Sequence, residues 1–219
     1  MDTRRALLTT AALTASAAAA VVAHARLRNW GATDDETRRR LPGDDLLADA
    51  DAVTTRAIAV GAPRDEVWRW LVQLGQDRGG WYSYDWLENL VGLDIHSTRS
   101  VRPEWQLLRP GDRVLATPPG ALGMKDGYAF RVARAEPGRV LVLRQQPPEH
   151  PWNATWAFVL VDDAPGGCRL LVRSRAKRTP GLGGWLAWTG GRLMDPVVLA
   201  MTRGMLLGIR ARAERAARR

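Results

Sequence analysis

Five strand-like runs in close succession constrain this chain more than any other feature of its sequence. They span Arg113 to Thr117, Gly127 to Ala135, Arg139 to Gln145, Thr155 to Asp162 and Cys168 to Lys177. The breaks between them are Pro118-Pro119-Gly120, Glu136-Pro137-Gly138, Pro147-Pro148 and Ala164-Pro165-Gly166-Gly167. Proline removes a ladder donor and glycine supplies the dihedrals of tight turns, so each break ends one strand and starts the next. Connections this short leave no room for a helical crossover, and the strands must therefore pair antiparallel as a meander. The last two runs alternate most clearly: Trp156, Phe158 and Leu160 share one face, and Leu170, Val172 and Ser174 share another.

The flanking segments supply one more strand and the helices. Val53 to Val60 alternates, with Val53, Thr55, Ala57 and Ala59 on one face and Thr54, Arg56, Ile58 and Val60 on the other. Gly61-Ala62-Pro63 opens a helix whose first turn carries Asp65 and Glu66, negative charges at the positive end of the dipole. Val67, Trp70, Leu71 and Leu74 recur at helical spacing before Gly75 stops it. A short helix is expected within Trp81 to Leu90 and another over Leu182 to Leu193. Asp195-Pro196 then caps a longer helix running to about Ala216. Along it Leu193, Val197, Ala200, Gly204 and Leu207 form an apolar stripe that Met194, Val198, Met201, Met205 and Ile209 widen. A long helix with so broad an apolar face needs a curved sheet to lie in.

Strand, short helices, antiparallel meander and a long terminal helix, in that order, resemble the SRPBCC superfamily (START-like, polyketide cyclase/dehydrase and lipid transport) over about Val53 to Glu214. Trp30-Gly31-Ala32-Thr33-Asp34, Leu41-Pro42-Gly43-Asp44 and Gly79-Gly80-Trp81-Tyr82-Ser83-Tyr84-Asp85-Trp86-Leu87-Glu88-Asn89-Leu90 are similar to a functionally uncharacterised bacterial branch of it. So are Gly92-Leu93-Asp94-Ile95-His96-Ser97 and Pro103-Glu104-Trp105-Gln106. The resemblance implies an α+β helix-grip (START/Bet v1-like) fold, with a curved antiparallel sheet wrapped around the C-terminal helix and an apolar cavity enclosed between them. The branch brings no substrate and no catalytic residues with it.

Ten Trp against two Phe and three Tyr is the unusual count, and the rings cluster between the first helix and the meander. Trp81, Tyr82, Tyr84, Trp86 and Trp105 are candidates to line a pocket mouth, joined by Trp156 from the meander and by Met201 and Met205 as adaptable walls from the terminal helix. The competing reading of the rings is that they plug one end of the sheet. Asp85, Glu88, Asp94, His96 and Glu104 form the dense titratable cluster beside them. His96 with Glu104 or Asp94 is the candidate proton-transfer pair for a cyclisation, dehydration or hydrolysis. The alternative is that the carboxylates cap helices or pair with Arg78, Arg99 and Arg102 while His96 satisfies loop backbone. Cys168 is the one cysteine, so a disulfide or cysteine-based metal site within the chain is excluded, and the histidines lack paired metal-ligand spacing. Neither a metal nor a cofactor is expected.

The formal charge of +9 first suggests nucleic acid. Its distribution argues otherwise, because residues 1–40 hold seven Arg against four acids and residues 203–219 hold six Arg against one Glu, which leaves the body near neutrality. Basic ends beside an apolar segment suit an anionic membrane surface, and no nucleic-acid partner is expected. Ala6 to Ala23 is uncharged and as a helix reaches about 27 Å, close to a bilayer core. Residues 1–25 are therefore expected to be a single-pass membrane anchor, or a signal cleaved on export, followed by a polar tether over 26–52 and a helix-grip domain over 53–219. The expected function is membrane-associated binding or transport of a hydrophobic small molecule or lipid. The alternatives are a polyketide cyclase/aromatase-like enzyme using His96, and a ligand-free envelope scaffold.

Overall fold

A computed structural model describes residues 27–121, 125–146 and 152–219 of the chain. The apolar segment Ala6–Ala23, expected to anchor the protein or direct its export, lies outside the described residues. Six strands form one antiparallel sheet: β1 (Ala52–Val60), β2 (Arg113–Thr117), β3 (Tyr128–Glu136), β4 (Val140–Gln145), β5 (Asn153–Asp162) and β6 (Cys168–Lys177). Their spatial order is β1-β6-β5-β4-β3-β2, so the five-strand meander is intact and β1 joins its far edge beside β6. Among the described residues the sheet is open, with β1 and β2 at its edges. Register shifts in β2–β3 and β3–β4 mark bulges, which bend the strands at that end.

The α+β architecture is completed, among the described residues, by the helices α1 (Asp34–Arg38), α2 (Arg64–Leu71), α3 (Asp85–Leu90), α4 (Leu182–Leu193) and α5 (Asp195–Ala217). The long α5 packs on α2 and β1 across one face of the sheet, an arrangement that fits a helix-grip fold. The register puts Trp156 opposite Ser174, Phe158 opposite Val172 and Leu160 opposite Leu170. The two apolar stripes read from the sequence therefore lie side by side and face the same interior. Phe158, Leu170, Val172, Met205, Leu206 and Ile209 are buried together there.

The outer face is buried as well, because the segment before β1 lies on it. Leu41 closes a second apolar cluster with Ala57, Val142, Ala157, Val159 and Leu171. The same segment covers the exposed edge of β1: Asn29 Oδ1 accepts from Thr55 N–H and the Trp30 carbonyl from Ala57 N–H. Thr33 and Glu36 form a reciprocal capping box that starts α1. The polar residues that suggested a tether thus serve as hydrogen-bonding partners for the sheet, while the few apolar ones among them fill its outer core.

Helix α5 is buried from Thr202 onward, through Gly204, Met205, Leu206, Ile209 and Ala213. Its first turns stand away from the sheet, leaving Val197 and Val198 exposed. The buried half is held by a close approach of backbones: a Cβ at Gly208 would lie 2.0 Å from the Tyr82 carbonyl oxygen, and one at Gly204 would lie 2.8 Å from the Tyr84 ring. Absence of side chains at these two positions lets the loop after α2 settle against the helix. Arg212, one turn on, stacks over the Tyr82 ring and donates to the Thr98 carbonyl.

Candidate functional site

Because α5 diverges from the sheet at its N-terminal end, the inner face is left unfilled there. The result is a cavity of about 410 Å³ between β1, the meander and the first half of α5. Its wall is aromatic. Trp81 stacks on Trp156 with ring centroids 5.5 Å apart, Phe130 meets both at 6.3 and 5.7 Å, and Phe158 lies behind Trp156 at 5.0 Å. Met201 and Met205 face these rings from α5. Flexible thioethers opposite rigid rings make a surface that adapts to an apolar body without opening to water.

Four of the eight proposed ligand-binding residues, Trp81, Trp156, Met201 and Met205, line this cavity. The other four lie elsewhere. Tyr82 is buried in the core, where it accepts a hydrogen bond from Gln73 at 2.8 Å and meets Trp70 edge-on. Tyr84 is exposed and rests against Gly204, Trp86 is 70% exposed, and the Trp105 carbonyl accepts from Arg78. The proposed proton-transfer residues also lie away from the cavity. His96 and Asp94 are three-quarters exposed and bonded to each other at 3.0 Å, and Glu104 is exposed on a turn. Asp85 holds the loop in shape by accepting from the backbone N–H and hydroxyl of Ser97.

Of that titratable cluster only Glu88 lines the cavity. Its Oε1 accepts from Ser83 at 2.5 Å, while Oε2 is buried with no hydrogen-bond partner among the described residues. Burial pushes its carboxyl above the ordinary carboxylate value; the Ser83 bond opposes the shift and the Asp85 charge adds to it. Gln145, 3% exposed, has an unpartnered Nε2 at the far end of the wall, next to Tyr128. Tyr128 and Gln145 also line a neighbouring cavity of about 840 Å³ beneath α4, so the two spaces adjoin.

Among the lining residues that the sequence did not single out for a site is Arg56, 5% exposed in the middle of β1. Its Nη1 donates to Thr202 Oγ1 over a long 3.4 Å, and its Nε has no partner among the described residues. Desolvation, reinforced by the nearby Arg28 and opposed by Asp195, pulls its pKa below the ordinary guanidinium value. A signal for it was present in the sequence, since Arg56 falls in phase with Ile58 and Val60 on the face that turns inward.

No family model matches the chain. No curated protein matches it either. Among solved structures, a hypothetical protein from Helicobacter pylori is 14% identical, the match covering 83% of this chain and 99% of that one at a TM-score of 0.47. A Thermobifida fusca protein solved in solution is 16% identical, with 74% and 93% covered and a TM-score of 0.45. DynU16, from the dynemicin biosynthetic locus, is 15% identical, with 71% and 46% covered and a TM-score of 0.38. At this level of similarity none of them bears on what the chain does.

Proposed function

We propose that this protein is an SRPBCC-type, START-like binder or carrier of a hydrophobic small molecule or lipid, held at a membrane by residues 6–23. The observation that carries the reading is the cavity walled by Trp81, Phe130, Trp156, Met201 and Met205. A concave, ring-lined space with a few buried polar groups is the usual form of a small-molecule site. Leaving it empty would forfeit dispersion contacts on every wall, so a well-packed fold without a ligand has reason to collapse it. Leu182, Trp185 and Leu186 of α4 and Met194 just before α5 are exposed apolar side chains that suit an approach to lipid. No helix among the described residues is long and apolar enough to cross a membrane, and in this reading the anchor is the uncharged run Ala6–Ala23.

Native mass spectrometry of the gently purified full chain, followed by organic extraction, tests the proposal. A stoichiometric apolar molecule that leaves with the protein is the expected result. A protein that carries nothing and takes up nothing from membrane lipid extracts overturns it.

A further inference from the structure

The chemistry of the ligand follows from Arg56, the buried cation among the described residues of the cavity wall, given the reading of the cavity as an apolar-ligand site. We propose that the ligand is an amphipathic monocarboxylate, its apolar body among the rings and its carboxylate against the Nε–Nη2 edge of Arg56. Arg56 is 5% exposed and makes a single hydrogen bond among the described residues, from Nη1 to Thr202 at 3.4 Å. The opposite edge of the fork, Nε and Nη2, is unengaged there. Two parallel N–H donors on one edge match the two oxygens of a carboxylate.

Charge balance points the same way. The acid near Arg56 is Asp195, which already faces Arg28 at 3.8 Å, so two guanidinium groups share one carboxylate and one positive charge is left over. None of the ion pairs among the described residues involves Arg56. A buried guanidinium without an anion is costly, and an apolar residue at position 56 would fill a wall of this kind more cheaply. A single excess positive charge and a single fork suit a monoanion; a phosphate dianion calls for more donors than Arg56 and Thr202 provide. Glu88 is not the partner of Arg56: its Oε1 is held by Ser83, and the charges that act on the Arg56 guanidinium are those of Arg28 and Asp195.

Decanoate, decanol and methyl decanoate share one chain and differ in the headgroup, so titrating each into the full-length protein separates the two layers of the proposal. Decanoate is expected to bind at least about tenfold more tightly than the ester, the advantage of a charge-assisted bidentate contact, and Arg56→Met is expected to abolish that preference. Arg56→Lys, which retains the charge, covers the case that Arg56→Met does not fold; it is expected to lose part of the preference because an ammonium presents no planar fork. Arg109→Met, which removes an exposed charge away from the cavity, is expected to leave the preference intact. Equal binding of acid, alcohol and ester, or a preference unmoved in the Arg56 variants, overturns the acid assignment and leaves the apolar site standing. No binding by any of the three overturns both.

Discussion

Two arginines on neighbouring strands, one register position apart, are both buried and live in opposite circumstances. Arg173 of β6 lies opposite Thr55 on the outer face, and Arg56 of β1 lies opposite Val172 on the inner face. The five N–H groups of Arg173 make five hydrogen bonds: to Thr55 Oγ1, to Asp44, and to the carbonyls of Glu36, Thr37 and Arg39. Arg56 makes one long bond. The same contrast holds for the acids. Burial pushes the Glu36 carboxyl up, but bonds from Arg169 and Thr33 outweigh it and hold the group below the ordinary value, whereas burial prevails at Glu88 and the group is raised. On the outer face the charges of Arg173 and Glu36 are answered by the chain itself. On the inner face Arg56 Nε, Glu88 Oε2 and Gln145 Nε2 have no hydrogen-bond partner among the described residues, and that asymmetry is what marks it as the site.

The largest expected effect breaks the outer side. Arg173→Met leaves the carbonyls of Glu36, Thr37 and Arg39 without their donor and Asp44 with only Arg175 and Leu41 N–H, and should cost about 3–5 kcal/mol in denaturant unfolding, in line with removal of one partner from a buried ion pair. A loss under about 1 kcal/mol would show that the outer network is dispensable and remove the contrast with Arg56.

A smaller effect separates the two acids by the sign of their pH dependence. The lowered Glu36 value means that its contribution is present above the reference value of 4.5 and is lost as pH falls through the folded value. The raised Glu88 value means the reverse: the folded state holds the proton more tightly, and stability declines as pH climbs above 4.5 towards the folded value. Stability measured from pH 3 to 8 should therefore show Glu36→Gln destabilising at neutral pH with the difference fading in acid. Glu88→Gln should be stabilising at neutral pH, with that difference also fading in acid. Equal signs for the two variants at pH 7 would break the comparison.

The smallest effect sharpens it. Arg56→Met removes a charge that forms no ion pair among the described residues, so unfolding of the ligand-free protein should shift by no more than about 1 kcal/mol, or shift towards greater stability. A loss as large as that for Arg173→Met would mean that Arg56 has a structural partner after all.

Much of the architecture was legible because it is written in local rules. Strand alternation and Pro-Gly breaks set β2 at Arg113–Thr117 and β6 at Cys168–Lys177, the limits read from the sequence, and Leu182–Leu193 and Asp195 likewise bound α4 and open α5. The site was legible only in part. Trp81 and Trp86 are five residues apart in one aromatic run, yet one is stacked in the cavity and the other stands in solvent, since the turn into α3 sends them opposite ways. Proximity in sequence also suggested His96 with Asp94 as a working pair; they do bond each other, but on the outside of the loop that Asp85 and Asn89 hold in place.

The sequence by itself determined the order of the strands, the antiparallel meander and the long helix that closes it, because hydrophobic period and turn chemistry act over a few residues. Tertiary structure alone decided where α5 leaves the sheet, and therefore which inward-facing side chains meet protein and which meet a cavity. Arg56 carries the same guanidinium as Arg173, and strand phase assigns the two to opposite faces without saying which face offers it an oxygen. What separates them is the distance to an oxygen, which exists only once strands, helix and the segment before β1 are packed together.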